Sequence, residues 1–138
     1  MALQFYPRAG QMFFCDFAGF KVPEMVKPRP VIVISPKLPY RSEIVTIVPT
    51  STTPPRHDLP FCYRLSKNYH PEEDDDIPVW AKADMIMNLR VYRLIPFKVG
   101  RRKYFYPELA PDDLQGVKRA VLYGLGMGAL IPGDENAI

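Results

Sequence analysis

Apolar residues along this chain fall into short runs separated by prolines, and the runs have the composition of β-strands. Six can be delimited: Gln11–Phe17, Pro30–Ser35, Glu43–Pro49, Phe61–Leu65, Val79–Ala83 and Leu89–Pro96. Each is rich in β-branched or aromatic residues and is bounded by Pro, Gly, Asp or Asn, which terminate strands. Val31–Ile34 is apolar at every position and predicts a strand buried on both faces, whereas Arg41–Val48 mixes polar and apolar residues as a half-exposed strand does. Sixteen prolines are spread through the sequence, and each costs a helix interior about 3 kcal/mol. Most of the chain is therefore excluded from helix. Six short strands with no helix between them predict a mainly β fold, a strongly bent sheet closing into a small barrel.

The pattern changes once, near the C-terminus. After Pro111-Asp112-Asp113, apolar residues recur at Leu114, Val117, Val121 and Leu125, the three-and-four spacing of an amphipathic helix. Acidic residues in its first turn and Lys118 and Arg119 further along suit the helix dipole, and Gly124 and Gly126 mark its end. Residues 131–138 read as a frayed tail. The glycines of Gly124-Leu125-Gly126-Met127-Gly128 follow a helix and do not join a strand to one, so they read as a helix end and not as a phosphate loop.

Length and composition place these elements in one domain spanning 1–138, with a core of about 10–126, because 138 residues are too few for two respectable cores. No apolar run reaches the roughly 18 residues a membrane helix needs, and the first residues lack the basic and apolar regions of a secretory signal, so a cytoplasmic protein without a membrane partner is expected. Cys15 and Cys62 lie in apolar strand-like runs and are expected as buried free thiols. A net charge of +3 tolerates nucleic acid as a partner without announcing it.

Candidate chemistry sits at strand ends. Arg29 stands immediately before the strand Pro30–Ser35, stiffened by Pro28 and Pro30, and a guanidinium so mounted can place several N–H donors on phosphodiester oxygens. A surface arginine paired with a carboxylate is the plainer alternative. Thr50-Ser51-Thr52-Thr53 follows the strand ending at Pro49, and Arg56 and His57 come shortly after; these can position a phosphate or ribose hydroxyl, or simply form a Ser/Thr-Pro turn. Lys98, Arg101, Arg102 and Lys103, followed by Tyr104, Phe105 and Tyr106, combine phosphate attraction with rings on which bases can stack, and equally read as a solvated turn leading into a core strand. Phe13, Phe14, Phe17 and Trp80 are expected in a core or dimer contact. The acidic run Glu72–Asp76 lacks the spacing of a calcium loop and reads as solvated, with His70 beside it of little consequence. No metal or cofactor is expected.

Three blocks then occur in order: Lys27-Pro28-Arg29-Pro30-Val31-Ile32-Val33-Ile34-Ser35, Val48-Pro49-Thr50-Ser51-Thr52, and Trp80-Ala81-Lys82-Ala83-Asp84-Met85-Ile86. With the opening strand from Gly10 and the helix start Leu109-Ala110-Pro111-Asp112-Asp113-Leu114, the chain resembles the MazF/PemK toxin family from about residue 10 to 126. The resemblance implies an SH3-like barrel with a C-terminal helix, usually a homodimer, that cleaves single-stranded RNA sequence-selectively without a metal and is silenced by an antitoxin protein; association with DNA would come only through the antitoxin complex. It also implies catalytic roles for Arg29, Ser51 and Asp84, contacts from Thr52 and Lys82 in the same blocks, and a mobile loop at Gly19–Lys27 beside the site; Arg56, His57, Arg101 and Arg102 are expected as RNA contacts from their own positions, with His57 the alternative to Asp84 as proton acceptor. Ser51 stands where threonine is commoner and Lys82 where one branch has arginine, which removes the planar fork of a bidentate phosphate contact. The competing expectation is a related barrel that binds nucleic acid or protein without cutting it.

Overall fold

The computed structural model describes residues 3 and 5–133. Its strands are β1 (Met12–Cys15), β2 (Arg29–Val33), β3 (Ile44–Ser51), β4 (Cys62–Arg64), β5 (Trp80–Lys82), β6 (Met87–Arg90), β7 (Leu94–Ile95), β8 (Phe97–Gly100) and β9 (Lys103–Phe105), followed by helix α1 (Pro111–Gly124). Seven strands form one antiparallel sheet in the order β4-β5-β3-β2-β1-β7, and β6 also pairs with β3; β8 and β9 form a separate hairpin. The long strand β3 bends between two neighbours on one edge: Ile44–Ile47 pair with β6, and Thr50 and Ser51 with β5. The mainly β architecture with a C-terminal helix is as expected from the sequence. The outer strands β4 and β7 do not pair with each other among the described residues, so the expected barrel is a curled sheet whose ladder stays open.

The central strands distribute alternate side chains to two cores. Met12, Ile32 and Val48 join Val117 and Val121 of α1 on one face, while Phe13, Val31, Val33 and Ile47 join Phe17 and Leu94 on the other. Full burial of Val31, Ile32 and Val33 matches the two-sided strand read from the sequence. Phe13 and Phe17 are core residues, and Met25 enters the second core, pinning the end of the Gly19–Lys27 segment. Cys15 and Cys62 are free; burial pushes the Cys15 thiol up to about 12, Arg93 opposing and Asp16 reinforcing the shift.

Four local expectations are corrected. Pro49 was expected to end the third strand, but β3 runs on to Ser51. The run Leu89–Pro96 is divided: a 3₁₀ turn at Val91–Arg93 separates β6 from β7, held where the Arg93 guanidinium donates to the Asp16 and Ala18 carbonyls at 3.0 and 2.8 Å. β9 is exposed throughout and is no core strand. Leu125 lies just past the helix and is 54% exposed, while Ala120 takes its place on the buried face. Of the expected tail, Ile131 is buried, and residues 134–138 lie outside the described residues.

Helix α1 is fastened to β4 and the segment after it through Asp113, which is 1% exposed. Its carboxylate accepts hydrogen bonds from Tyr63 Oη (2.8 Å), Tyr69 Oη (2.7 Å), Ser66 Oγ (2.6 Å) and the Ser66 N–H (3.1 Å). The Tyr69 hydroxyl in turn accepts the Ala110 N–H at 3.0 Å, one of the helix-start donors that no earlier turn can satisfy. Burial opposes ionisation of Asp113, but these donors outweigh it and hold the carboxyl below its ordinary value. Gly116, one turn on, lets the helix lie against Tyr63: a Cβ there would stand 2.2 Å from the ring.

Two outcomes follow for stability. A folded pKa below the unfolded one means that the Asp113 contribution is complete above the ordinary carboxyl value of 3.8 and is lost as pH falls through the folded value. Urea unfolding between pH 7 and pH 3 should therefore show Asp113→Asn less stable by about 2–3 kcal/mol at neutrality and the gap narrowing in acid; a gap independent of pH would remove the charge from the account. Gly116→Ala, which in an exposed helix gains roughly 1 kcal/mol, should here lower stability by about 1–3 kcal/mol because it overpacks Tyr63, read from the shift in urea midpoint.

Candidate functional site

Where β2 and β3 run side by side, Pro30 interrupts the backbone ladder opposite Thr50, one step beyond the Val31–Pro49 pair. A proline has no N–H to give, and side chains supply the missing ties. Buried Thr50 donates its hydroxyl to the Pro30 carbonyl at 2.7 Å, and Arg29 Nη1 donates to the Thr50 carbonyl at 3.3 Å. Arg29 is thus the first residue of β2, in register with Cys15, and not a residue ahead of the strand.

The guanidinium of Arg29 is half-buried, and its Nε is buried without a hydrogen-bond partner among the described residues. No carboxylate among them pairs with it; Arg8 pairs with Glu108, and the Glu73 carboxylate lies 3.9 Å from His70. Burial lowers its pKa from the ordinary 12.5, the mark of a cation that has lost water and not gained a counter-charge. The surface ion pair that was the plainer expectation is absent among the described residues.

Arg29 lines a cleft of about 450 Å³ together with Thr50, Ser51, Thr52 and Thr53. Met12 and Phe14 add apolar surface to it, and Lys27 and Pro28 contribute the end of the Gly19–Lys27 segment. The Ser51 hydroxyl accepts the Thr53 N–H at 3.1 Å, so the Ser/Thr turn read as an alternative does form, and the hydroxyl hydrogen stays available to a ligand. A second recess of about 220 Å³ is lined by Arg56, Trp80, Lys82 and Cys62, and Thr53 borders both. Trp80 pairs with Ser51 across β3 and β5, and the Arg64 guanidinium stands 5.9 Å from its ring centroid.

The sequence candidates thus divide. Arg29, Ser51 and Thr52 meet in the first cleft, and Arg56 and Lys82 in the adjoining recess. Asp84 is exposed in the 3₁₀ turn after β5 and lines neither; it lies near enough to Cys62 to raise that thiol's pKa after burial, with Lys82 opposing. His57 is exposed and lines neither. Arg101 and Arg102 occupy the β8–β9 turn with Tyr104, Phe105 and Tyr106 exposed nearby and line neither; Phe97 of the hairpin packs its ring against His70 and Phe14 of the cleft, with centroids 4.9 and 6.0 Å apart. The far wall of the cleft comes from the β4–β5 segment, as Asn68, Tyr69, His70 and Glu73. Sequence reading passed over these, because a polar and acidic run carries no sign that Asn68 is buried and folds the run back on itself.

These features define a class: an antiparallel β protein with a C-terminal helix and a cleft built around an uncompensated cation. Solved structures share the fold. MazF from Deinococcus radiodurans is 23% identical with a TM-score of 0.63, covering 90% of this chain and all of its own. An endoribonuclease solved in complex with its cognate antitoxin from a mycobacterial species is 20% identical with a TM-score of 0.61, covering 88% of this chain and 96% of its own. In sequence the chain is 27% identical to the Escherichia coli (strain K12) protein YifN over 95% of this chain and 99% of that one. The model of the PemK-like, MazF-like toxins of type II toxin-antitoxin systems matches residues 8–123, and the chain belongs to that family.

The tie between Thr50 and Pro30 can be probed directly. Thr50→Val keeps the shape and removes the hydroxyl, leaving the Pro30 carbonyl without that partner, and should cost about 1 kcal/mol in chemical unfolding. An unchanged unfolding midpoint would show that the bond contributes nothing to joining β2 and β3.

Proposed function

We propose that this chain is a toxin that cuts single-stranded RNA sequence-selectively and without a metal, by attack of a ribose 2′-hydroxyl on the neighbouring phosphorus. The observation that carries the reading is the half-buried Arg29 guanidinium, with an unpartnered Nε and no ion pair among the described residues, beside the Ser51 hydroxyl in one cleft. Negative charge grows on the phosphoryl oxygens during the reaction, and a fixed, partly desolvated cation is worth more against that charge than one in water. Arg29 meets those oxygens and Ser51 holds the phosphate. Arg29 acts through its charge, since its pKa remains too high for it to give up a proton readily near neutrality.

From the cleft the RNA passes Thr52 and Thr53 to the recess where Arg56 and Lys82 flank Trp80, and Arg101, Arg102 and His57 act at longer range on the approaching backbone. The family resemblance offers Asp84 as proton acceptor, but Asp84 is exposed and lines neither the cleft nor the recess, so this reading leaves that role to a group within the cleft. The family also supports a homodimeric, cytoplasmic protein controlled by its own antitoxin, with DNA contact only through that complex. A neighbouring fold was solved bound to its cognate antitoxin, and another as MazE-MazF from Deinococcus radiodurans (20% identical, TM-score 0.61). A second reading, a barrel that binds nucleic acid without cutting it, draws on the exposed position of Asp84 outside the cleft.

Incubation of a long single-stranded RNA in EDTA with the wild type, Arg29→Ala and Ser51→Ala separates the two. Wild-type cuts ending in 2′,3′-cyclic phosphate are expected, with the rate lower by about 10²–10³-fold in Arg29→Ala and clearly reduced in Ser51→Ala. Retention of RNA with no cuts by the wild type would establish the binding module instead.

A further inference from the structure

Transfer of the 2′-hydroxyl proton needs an acceptor in the cleft that holds Arg29, and the β4–β5 segment supplies the one carboxylate among the described residues lining it, Glu73. Resting on the RNA-cleaving reading above, we infer that Glu73 is the general base of this site and that His70 and Asn68 are positioning residues that aim it.

The segment is organised around Asn68, which is 4% exposed. Its Oδ1 accepts the His70 N–H at 3.1 Å, and its Nδ2 donates to Glu73 Oε1 at 3.0 Å and to the Asp74 carbonyl at 3.2 Å. One oxygen of Glu73 is therefore fixed from beneath. The other, Oε2, accepts no hydrogen bond among the described residues and lies 3.9 Å from His70 Nε2. His70 Nδ1 accepts the Glu72 N–H at 3.1 Å, so the neutral ring carries its proton on Nε2, on the side of Glu73. That ring is held against Phe97. A nitrogen that already bears a proton cannot take another, so the imidazole orients and the carboxylate accepts.

In the reaction Glu73 Oε2 takes the 2′-hydroxyl proton as O2′ bonds to phosphorus and Arg29 meets the charge on the non-bridging oxygens. The bond from phosphorus to O5′ breaks, the departing alkoxide takes a proton from water, and Glu73 returns its own proton to the hydroxide formed. The products are a 2′,3′-cyclic phosphate and a 5′-hydroxyl. Titratable neighbours of Glu73 in the cleft are His70 and Tyr69 on its own segment, with Lys27 and Arg29 across from it.

The test is single-turnover RNA cleavage in EDTA as a function of pH, with binding read separately on RNA carrying 2′-O-methyl groups. Glu73→Gln keeps an oxygen for Asn68 to donate to, so the segment stays folded; the rate should fall by about 10²-fold or more, its rise with pH should disappear, and analogue binding should hold. Glu73→Asp should recover part of the rate and the rise with pH. His70→Phe keeps a ring against Phe97 without the N–H, and should lower kcat about tenfold with KM unchanged. If the wild type cuts and Arg29→Ala does not, yet Glu73→Gln cuts within about threefold of wild type with its pH dependence intact, the assignment of Glu73 fails while the RNA-cleaving reading stands. A wild type that cuts no RNA at any pH overturns both.

Discussion

Ionised carboxylates are costly to bury, and the Asp113 carboxylate is tolerated in the interior because four donors converge on it. Those donors come from β4 and the first residues after it, so a single charge joins the start of the helix to the strand at the edge of the sheet. The tie fixes the rotation and register of α1, which apolar contact by itself does not specify. Tyr69 extends the effect, bridging the helix start through Ala110 and standing next in sequence to His70 on the cleft wall. The same carboxylate therefore fixes the helix and one side of the candidate site.

The opposite side depends on a proline. Pro30 withholds its N–H where β2 meets β3, and the Thr50 hydroxyl and the Arg29 guanidinium take over the cross-strand ties. One consequence is geometric: a guanidinium that donates to a main-chain carbonyl within the sheet has little freedom to swing into solvent. Another is electrostatic, because the carbonyl dipole stabilises Arg29 only in part and leaves most of its charge for an incoming anion.

How much of this was legible beforehand differs by element. The apolar run at Val31–Ile34 and the three-and-four spacing from Leu114 to Val121 gave strand and helix directly, because burial periodicity is written in residue type. Arg29, Ser51 and Thr52 were legible from motif order and do share a cleft. Pro49 misled, since propensity says a proline ends a strand, while beyond it Thr50 and Ser51 pair with β5. The turn at Val91–Arg93 was hidden because its cause, the reach of Arg93 to the Asp16 and Ala18 carbonyls, spans distant parts of the chain. Asn68, His70 and Glu73 escaped for a related reason: nothing local distinguishes a solvated acidic run from one wrapped around a buried asparagine.

The side chains of Glu72, Asp74, Asp75 and Asp76 make no hydrogen bond among the described residues, although backbone groups of the same segment do. Substitution at these four positions is thereby uncoupled from folding. Over evolutionary time the charge of this segment can drift while the scaffold underneath is inherited unchanged.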